Sequence, residues 1–228
     1  GSAVMSVPSL SDEALFISSG TWSLMGTELK TANCSPDSMA CNCTNEGGYD
    51  HRYRYLKNIM GLWMIQSVRK ELSPDEGFGS ICEHAATETI TSIVDANDDR
   101  FLAPQNMTAE VQAACRESGQ EVPEGIYQVA AVIYNSLAKC YADTVREIEQ
   151  IEHVTYPCIN IVGGGANAAY LNELTAKATG KTVYAGPTEA TAIGNIMAQM
   201  IAAGELQDWA EARKCVFHSF EIKEEKGC

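Results

Sequence analysis

The stretch "INIVGGGANAAYLNEL", Ile159 to Leu174, places three consecutive glycines between a short apolar run and a run of helix-forming residues. The apolar run predicts a strand and the following run predicts a helix, so the glycines stand at a strand-to-helix junction. Glycines there let the main chain approach a bulky group, and the first N–H groups of the helix favour an anion. A phosphate is the natural candidate, although three glycines can also simply permit a tight turn.

The same stretch fits the dinucleotide-binding pattern G-x-G-x-x-A, with Gly163, Gly165 and Ala168 at the pattern positions. A dinucleotide fold also needs an acidic residue at the end of the next strand. The next apolar run ends as "TVYAGP" without a carboxylate, and Glu189 comes only at the start of the following helix. Too few residues follow Gly163 for a full doubly wound domain, so a dinucleotide site is not expected.

A second glycine-containing loop, "SSGTWS" at residues 18–23, lies near the N-terminus. Gly20 frees the backbone there, and Ser19, Thr21 and Ser23 offer hydroxyl groups. Two such loops can embrace one polyphosphate. Neither loop contains G-K-[ST], which excludes the lysine-dependent P-loop arrangement.

The composition of the sequence limits the kinds of partner that this protein is expected to bind. The net charge of −14 and the scattered arrangement of the 16 Lys and Arg leave no basic patch for a nucleic acid. The sequence contains no apolar run of about 18 residues, and its N-terminus lacks the pattern of a signal peptide. We therefore expect no membrane partner and a cytoplasmic location. With 228 residues and 45% hydrophobic residues, the chain is expected to form one domain over residues 1–228.

The nine cysteines form no C-x-x-C pair, and their number is odd, so we expect reduced thiols. The cluster "NCSPDSMACNC" brings only three sulfurs together, and no histidine falls within ligand spacing of them. No protein metal site is therefore expected. The four histidines are dispersed and have no nucleophile or acid nearby in the sequence.

The N-terminal stretch "ALFISSGTWSLMGTEL" predicts a hairpin, because β-branched and aromatic residues flank a turn centred on glycine. Its strands are expected at residues 14–18 and 22–29. A third strand is expected near residues 39–44, ending at the turn signal "NEGG".

Residues 53–72 carry apolar side chains at helical spacing and are followed by Pro74, which predicts one amphipathic helix. The apolar residues of this pattern are Leu56, Ile59, Met60, Trp63, Val68 and Leu72. Shorter helices are expected within "PDEGFGSICEHAATE" and over residues 107–117, with a polar loop, "DANDDRFLAPQN", between them.

Pro123 is expected at the first position of a long helix over residues 124–151. The pattern then becomes strand "CINIV", helix 167–178, strand "TVYAG" and helix 189–203, followed by a polar C-terminal stretch. Three antiparallel strands followed by helices and two β-α units predict an α/β fold, with a mixed sheet that has helices on its faces.

Several motifs together resemble those of the FGGY family of carbohydrate kinases. They are "SSGTWSLMG", "TNEGG", "RYLKNIMGLWMIQ", "IVGGGANAAYLNELTAKATGK" and "AGPTEATAIGNI", in this order. The resemblance runs from near Ala3 to about Ala212 and is to the C-terminal, nucleotide-binding domain. It implies the actin-like, ribonuclease H-like ATPase fold, which agrees with the predicted order of strands and helices.

The resemblance implies transfer of the γ-phosphoryl group of ATP, with Mg²⁺, to the 1-hydroxyl of a ketose. The segments "TNEGG" and "LKNIMGLW" favour L-rhamnulose, and L-fuculose and L-xylulose remain alternatives. Acetate kinase-like and Hsp70-like ATPases lack the "LKNIMGLW" segment. A further alternative is a non-catalytic structural domain in which the glycine turns are only turns.

The resemblance also implies roles for single residues around the nucleotide phosphates. It places Thr21 at a phosphate contact and Gly163, Gly164, Gly165 and Ala166 around the phosphate groups of ATP or ADP. These assignments agree with what the two loops can do chemically.

Other residues are assigned to the sugar and the nucleoside. The resemblance places Asn58 at the sugar and Gln66, two turns along the same predicted helix, at ATP. Eight residues span about 12 Å of helix, which would reach from the sugar hydroxyl to the nucleotide. The turn at residues 185–190, which includes Glu189, is expected to line the adenine side.

In the family the general base is the aspartate of a His-Asp-Thr motif just before the segment that resembles "GSAVMSVP". That position lies upstream of Gly1, and Asp12, the first aspartate here, is not where the motif would place it. The N-terminal sugar-binding domain is also expected to be absent from these residues. We therefore expect a fragment that binds ADP or ATP weakly and phosphorylates nothing. Such a fragment can dimerise through its former interdomain surface.

Overall fold

The computed structural model describes residues 1–9, 11 and 13–227. Asp12 lies outside the described residues. Within them, seven strands form one sheet: β1 Leu15–Ser19, β2 Trp22–Leu29, β3 Thr44–Gly47, β4 Tyr53–Met60, β5 Cys158–Val162, β6 Thr182–Ala185 and β7 Lys223–Glu225. The strand order is β3-β4-β2-β1-β5-β6-β7. Strand β5 pairs in parallel with β1 and β6, and the other pairs are antiparallel, so the predicted mixed sheet is confirmed.

Nine α-helices lie in the described part of the chain. They are α1 Ser2–Met5, α2 Pro36–Ala40, α3 Trp63–Leu72, α4 Phe78–Ala85, α5 Met107–Glu117, α6 Gly125–Glu152, α7 Ala169–Thr179, α8 Ala190–Ala202 and α9 Trp209–Ser219. Two 3-10 helices, Asp99–Phe101 and Gly164–Asn167, add single turns. None of the described helices is long and apolar enough to cross a membrane.

The sheet is covered on both faces. The larger core forms where α3 to α7 pack against one face, with α6 as the central, most buried helix. On the other face, α1 and α8 cover a smaller apolar cluster formed by Val4, Val7, Phe16, Leu56, Val162 and Ala190. Helix α9 packs on α8 through Ala212 and Val216.

The predicted helix over residues 53–72 is wrong in its first half. Residues Tyr53–Met60 form strand β4, which pairs with β2 on one side and with β3 on the other. The apolar residues of this strand face both ways: Leu56 packs in the smaller cluster, whereas Tyr55 and Ile59 pack in the larger core. A strand buried on both faces loses the alternation that identifies a strand, so its apolar residues matched helical spacing.

Two other N-terminal predictions need correction. The first part of the strand expected at 39–44 is instead helix α2, which the Ser35 side chain caps by accepting a hydrogen bond from the Ser38 amide. Strand β3 starts only at Thr44. Pro123 does not occupy the first helical position, because α6 begins at Gly125 and Glu124 is its N-cap.

Predictions for the C-terminal third were right in order and incomplete at the edges. The helix expected from residue 167 begins at Ala169, after the 3-10 helix Gly164–Asn167. The stretch expected to be only polar contains α9 and β7. The predicted polar loop between the helices at 78–85 and 107–117 contains the buried Phe101, which anchors it to the core.

Candidate functional site

The two glycine loops lie side by side because of the strand order. The hairpin turn follows the carboxyl end of β1, and the glycine turn follows the carboxyl end of β5, its parallel neighbour. The turn after β6 ends at the same edge of the sheet, since β6 is parallel to β5. Loops after the carboxyl ends of parallel strands are where open α/β sheets bind ligands. Sequence separation therefore says little about how close these loops are.

Hydrogen bonds and close packing join the three loops. The Gly163 amide donates to the Pro187 carbonyl at 3.0 Å, and the Gly186 amide donates to the Ile161 carbonyl at 2.8 Å. Gly163 has a φ of +89°, and a Cβ added to it would lie 2.8 Å from the Ser19 carbonyl oxygen. The glycine turn thus packs directly on the end of β1.

The three consecutive glycines have different surroundings. A Cβ added at Gly165 would overlap the Cβ and Oγ atoms of Ser19, so Gly165 is needed for close packing between the loops. A Cβ added at Gly164 would meet no atom within 4 Å. Gly164 is exposed, has no positive φ, and opens onto a cleft.

The cleft has a volume of about 630 Å³ and contains residues from all three loops, from α1 and from β4. Its lining residues are Ala3, Ser18, Ser19, Gly20, Trp22, Leu24, Asn58, Gly163, Gly164, Thr188, Glu189 and Thr191. Six of the residues singled out in the sequence are therefore brought together here: Ser19, Gly20, Asn58, Gly163, Gly164 and Glu189.

The other sequence candidates do not line this cleft. Gly165 and Ala166 are buried behind it, and Thr21 is exposed at the hairpin tip. Gln66 is half-buried in α3, on a different element from Asn58, so the single helix expected to carry both does not exist. Helix α3 nevertheless starts against the hairpin, because the Leu62 and Trp63 amides donate to the Gly20 and Thr21 carbonyls at 3.0 and 3.1 Å.

The cleft offers main-chain and hydroxyl groups rather than charged donors to an anion. Among its described lining residues, Glu189 is the only ionisable side chain. The first amides of the 3-10 helix that starts at Gly164 have no partner inside that helix, so they are available to an oxygen-rich ligand. No group of three His, Cys, Asp or Glu in the described part of the chain is arranged to hold a metal ion.

A model of the FGGY family of carbohydrate kinases, C-terminal domain, matches residues 15–203 of this chain. The chain belongs to this family. The match includes the hairpin, β4, the glycine turn, the turn after β6 and the start of α8, which form all of the cleft except the contribution of α1. The family is one of sugar kinases, enzymes that transfer phosphate, and this chain corresponds to their C-terminal domain.

Relatives within the FGGY family make the comparison more specific. The chain is 46% identical over 222 residues to a rhamnulokinase of Oceanobacillus iheyensis and 45% identical over 223 residues to one of Bacillus subtilis. In both cases 97% of the chain is matched, but it spans only 47% and 46% of the relatives' length.

Solved structures of other sugar and polyol kinases share the fold. Xylulose kinase from Rhodospirillum rubrum superposes with a TM-score of 0.68 at 12% identity, over 99% of this chain and 44% of that one. Glycerol kinase from Plasmodium falciparum, solved with ADP, gives 0.67 at 11% identity, over 100% of this chain and 46% of that one. The actin-like ATPase fold expected from the sequence is confirmed.

Sequence reasoning missed several residues of this FGGY-family cleft. Trp22 is 45% exposed and contributes the largest apolar side chain to the lining. Its position within "SSGTWS" was visible, but its orientation depends on the strand register that places Ser23 on the opposite, buried face. No sequence pattern pointed to Thr191 or Ala3. Each lines the cleft only because α1 and α8 pack beside the glycine turn.

A second cavity of about 300 Å³ adjoins the first and shares Thr188 and Glu189 with it. Its walls come from the 3-10 helix, the turn after β6, and the C-terminal segment through Phe220, Glu221 and Lys223. The turn expected on the adenine side thus faces a cavity of its own. The C-terminal residues that line this cavity belong to the stretch that the sequence predicted to be only polar.

Replacing Gly165 by alanine is expected to destabilise the fold by about 1–3 kcal/mol, because the new Cβ has no room beside Ser19. Urea unfolding of the variant and the parent chain measures the difference. A Ser19→Gly exchange in the Gly165→Ala background should recover part of the loss, since it removes both overlapping atoms. A Gly165→Ala chain as stable as the parent would contradict the close packing of the two loops.

Proposed function

We propose that this chain is the nucleotide-binding part of a kinase that transfers the γ-phosphoryl group of ATP to the 1-hydroxyl of L-rhamnulose. One observation carries the nucleotide assignment: two glycine loops meet at the carboxyl ends of neighbouring parallel strands, and Gly164 opens between them onto a cleft. The sugar assignment is supported by relatives named rhamnulokinase at 45–46% identity.

The phosphate groups of ATP or ADP are assigned to the two loops. Gly164 presents its backbone to the cleft without a side chain in the way, and Gly163, Gly165 and Ala166 shape the turn around it. Thr21 would add a hydroxyl group from the tip of the hairpin. Preorganised main-chain N–H groups of this kind stabilise negative charge without a lysine.

The nucleoside is assigned to the side of the cleft that carries Glu189, where the second cavity begins. Gln66 would reach ATP from α3, whose first turn is hydrogen-bonded to the hairpin. The sugar is assigned to the opposite side, where the exposed Asn58 of β4 lies across from Leu24 of β2. The hairpin therefore stands between the sugar side and the phosphate side.

The residues present fit a magnesium ion only as a companion of the nucleotide. Mg²⁺ in kinases is held by substrate phosphates and one or two carboxylates rather than by an all-protein cage. Glu189 is the carboxylate of the described lining, and the neighbouring Thr188 brings a hydroxyl group to the same cleft. When bound, Mg²⁺ would neutralise charge on the phosphates during transfer.

The 228-residue chain by itself is expected to bind ADP and to transfer no measurable phosphate. Its described cleft lining contains no aspartate or histidine to accept the proton of the sugar hydroxyl, and loss of a general base alone costs about 10² to 10⁴-fold. Calorimetry with ADP and Mg²⁺ measures the binding, and a coupled assay with ATP and L-rhamnulose measures turnover.

Each measurement distinguishes the proposed function from one alternative. No binding heat with ADP would favour a structural domain, and turnover at ordinary kinase rates would show that the cleft already contains its base. For the sugar, L-rhamnulose, L-fuculose and L-xylulose should be compared in a full-length kinase that contains these residues. A cytoplasmic location and a dimer of the isolated chain belong to the same proposal, and light scattering over a range of concentrations tests the dimer.

A further inference from the structure

A buried tyrosine lies directly beneath the hairpin loop. Tyr141, in the middle of α6, is only 1% exposed. Its hydroxyl is 2.6 Å from Oγ of Ser23, and this is a buried hydrogen bond between residues 118 positions apart. Burial raises the pKa of Tyr141, so the phenol stays protonated at neutral pH. Removing one of two buried, hydrogen-bonded hydroxyl groups costs free energy, because the other is left without a partner.

The hydrogen bond is placed at the base of the hairpin. Ser23 pairs with Ser19 across β1 and β2, and both side chains are buried on the face that α6 covers. Ser23, and more weakly Ser19, counteract the effect of burial on the pKa of Tyr141. The phenol thus holds Ser23 directly, and Ser23 is paired with Ser19 on the other side of residues 20–22.

Ser19 also contacts the glycine turn. Its carbonyl oxygen lies close to Gly163, and its side chain occupies the space that a Cβ at Gly165 would need. A displacement of Ser19 would therefore move the hairpin and the glycine turn together. Continuous contact runs from Tyr141 of α6 to Ser23, from Ser23 to its strand partner Ser19, and from Ser19 to the glycine turn.

We infer that Tyr141 is a positioning residue for the two loops, and that its hydrogen bond to Ser23 fixes the separation between them that a nucleotide's phosphates require. This inference rests on the proposed function, and it adds a residue that never touches the nucleotide. Phosphate recognition depends on donor geometry to within a fraction of an ångström, so a loop held less firmly should bind polyphosphate less well.

The chain provides a matched control in the same helix. Tyr134 lies two turns before Tyr141, is 2% exposed, and packs edge-on against Tyr170 of α7, away from the hairpin. Replacing either tyrosine by phenylalanine removes one buried hydroxyl from α6. Both variants should lower the Tm, but only Tyr141→Phe should change the loops.

The first measurement is nucleotide affinity in Tyr141→Phe, Tyr134→Phe and the parent chain. Tyr141→Phe should weaken ADP binding by about 5-fold and leave AMP binding nearly unchanged, because AMP lacks the β-phosphate that would lie between the loops. Ser23→Ala added to Tyr141→Phe should weaken ADP binding no further, since the two hydroxyl groups act as one unit. An equal ADP loss in Tyr134→Phe, or none in Tyr141→Phe, would overturn the inference.

The second measurement needs no nucleotide and therefore separates the two proposals. The chain has three tryptophans, and fluorine-labelled Trp22, assigned through Trp22→Phe, reports on the hairpin turn by NMR. Its resonance should shift or broaden in Tyr141→Phe and stay unchanged in Tyr134→Phe, with Trp209 as an internal reference. If Tyr141→Phe does not fold, Ser23→Ala breaks the same bond. An unchanged Trp22 signal would overturn the positioning role, whereas absent ADP binding in the parent would overturn only the nucleotide site.

Discussion

A Gly164→Val variant is expected to lose at least about 30-fold in ADP affinity, roughly 2 kcal/mol, while keeping the fold and thermal stability of the parent chain. The reason is the difference between Gly164 and its neighbours. A Cβ added at Gly164 would meet no protein atom within 4 Å, and Gly164 lines the cleft to which the phosphates are assigned. Its backbone has no positive φ, so valine is sterically allowed there.

Calorimetry with ADP and Mg²⁺ measures the affinity, and thermal unfolding monitored by circular dichroism measures the stability. Gly79→Val is the matched control, because Gly79 is an exposed glycine of α4 with nothing within 4 Å of an added Cβ and does not line the cleft. The control should bind ADP as the parent does. If Gly164→Val also binds ADP normally, the phosphates lie elsewhere and the glycine turn is only a turn.

Arg213→Met is expected to cost about 3–5 kcal/mol of unfolding free energy, the largest stability effect predicted for this chain. Arg213 of α9 is 95% buried and forms an ion pair with Glu28 of β2. It also donates a hydrogen bond to the Val4 carbonyl at 3.2 Å and lies over the Trp209 ring. Methionine fills the space but leaves the Glu28 carboxylate nearly buried without its partner.

Urea unfolding gives the free energy from the shift in midpoint at unchanged slope. The double variant Glu28→Leu/Arg213→Met should recover most of the loss, because two apolar side chains often replace a buried ion pair at little cost. ADP affinity should stay near the parent value in both variants at temperatures where they are folded, since neither residue lines the cleft. A loss below about 1 kcal/mol for Arg213→Met would mean that the pair behaves like a surface ion pair.

The elements predicted well were those that bury one face or that are bounded by clear turn or helix-capping residues. The hairpin of β1 and β2, helix 107–117 and the final β-α units follow from local pattern and turn chemistry. Strand β4 was not predictable in this way. It has strands on both sides and an apolar cluster on each face, so its sequence does not alternate between apolar and polar residues. Helix α9 was missed because charged residues interrupt its apolar ones and its position is fixed by packing on α8. Strand β7 was missed because its sequence is entirely polar and it is fixed by pairing with β6.

For the candidate site, the sequence identified the residues of each loop but not their arrangement. Asn58 and Gln66 were expected on one helix, and they lie on a strand and a helix instead. Tyr141 lies within the long helix that the sequence predicts, but nothing in the sequence indicates that its hydroxyl meets Ser23. Such contacts depend on the crossing of α6 over the sheet, which no local pattern encodes.

The sequence by itself determined that a glycine turn follows an apolar strand, that a second such loop exists, and that the order of motifs is that of the FGGY carbohydrate kinases. Only the tertiary structure decided what the glycines in "INIVGGGANAAYLNEL" do individually. Gly163 and Gly165 are needed because Ser19 of a distant strand lies against them, and Gly164 is the one left open to the cleft. The three glycines differ in their neighbours and, at Gly163, in a positive φ, and the neighbours are set by the parallel pairing of β1 with β5.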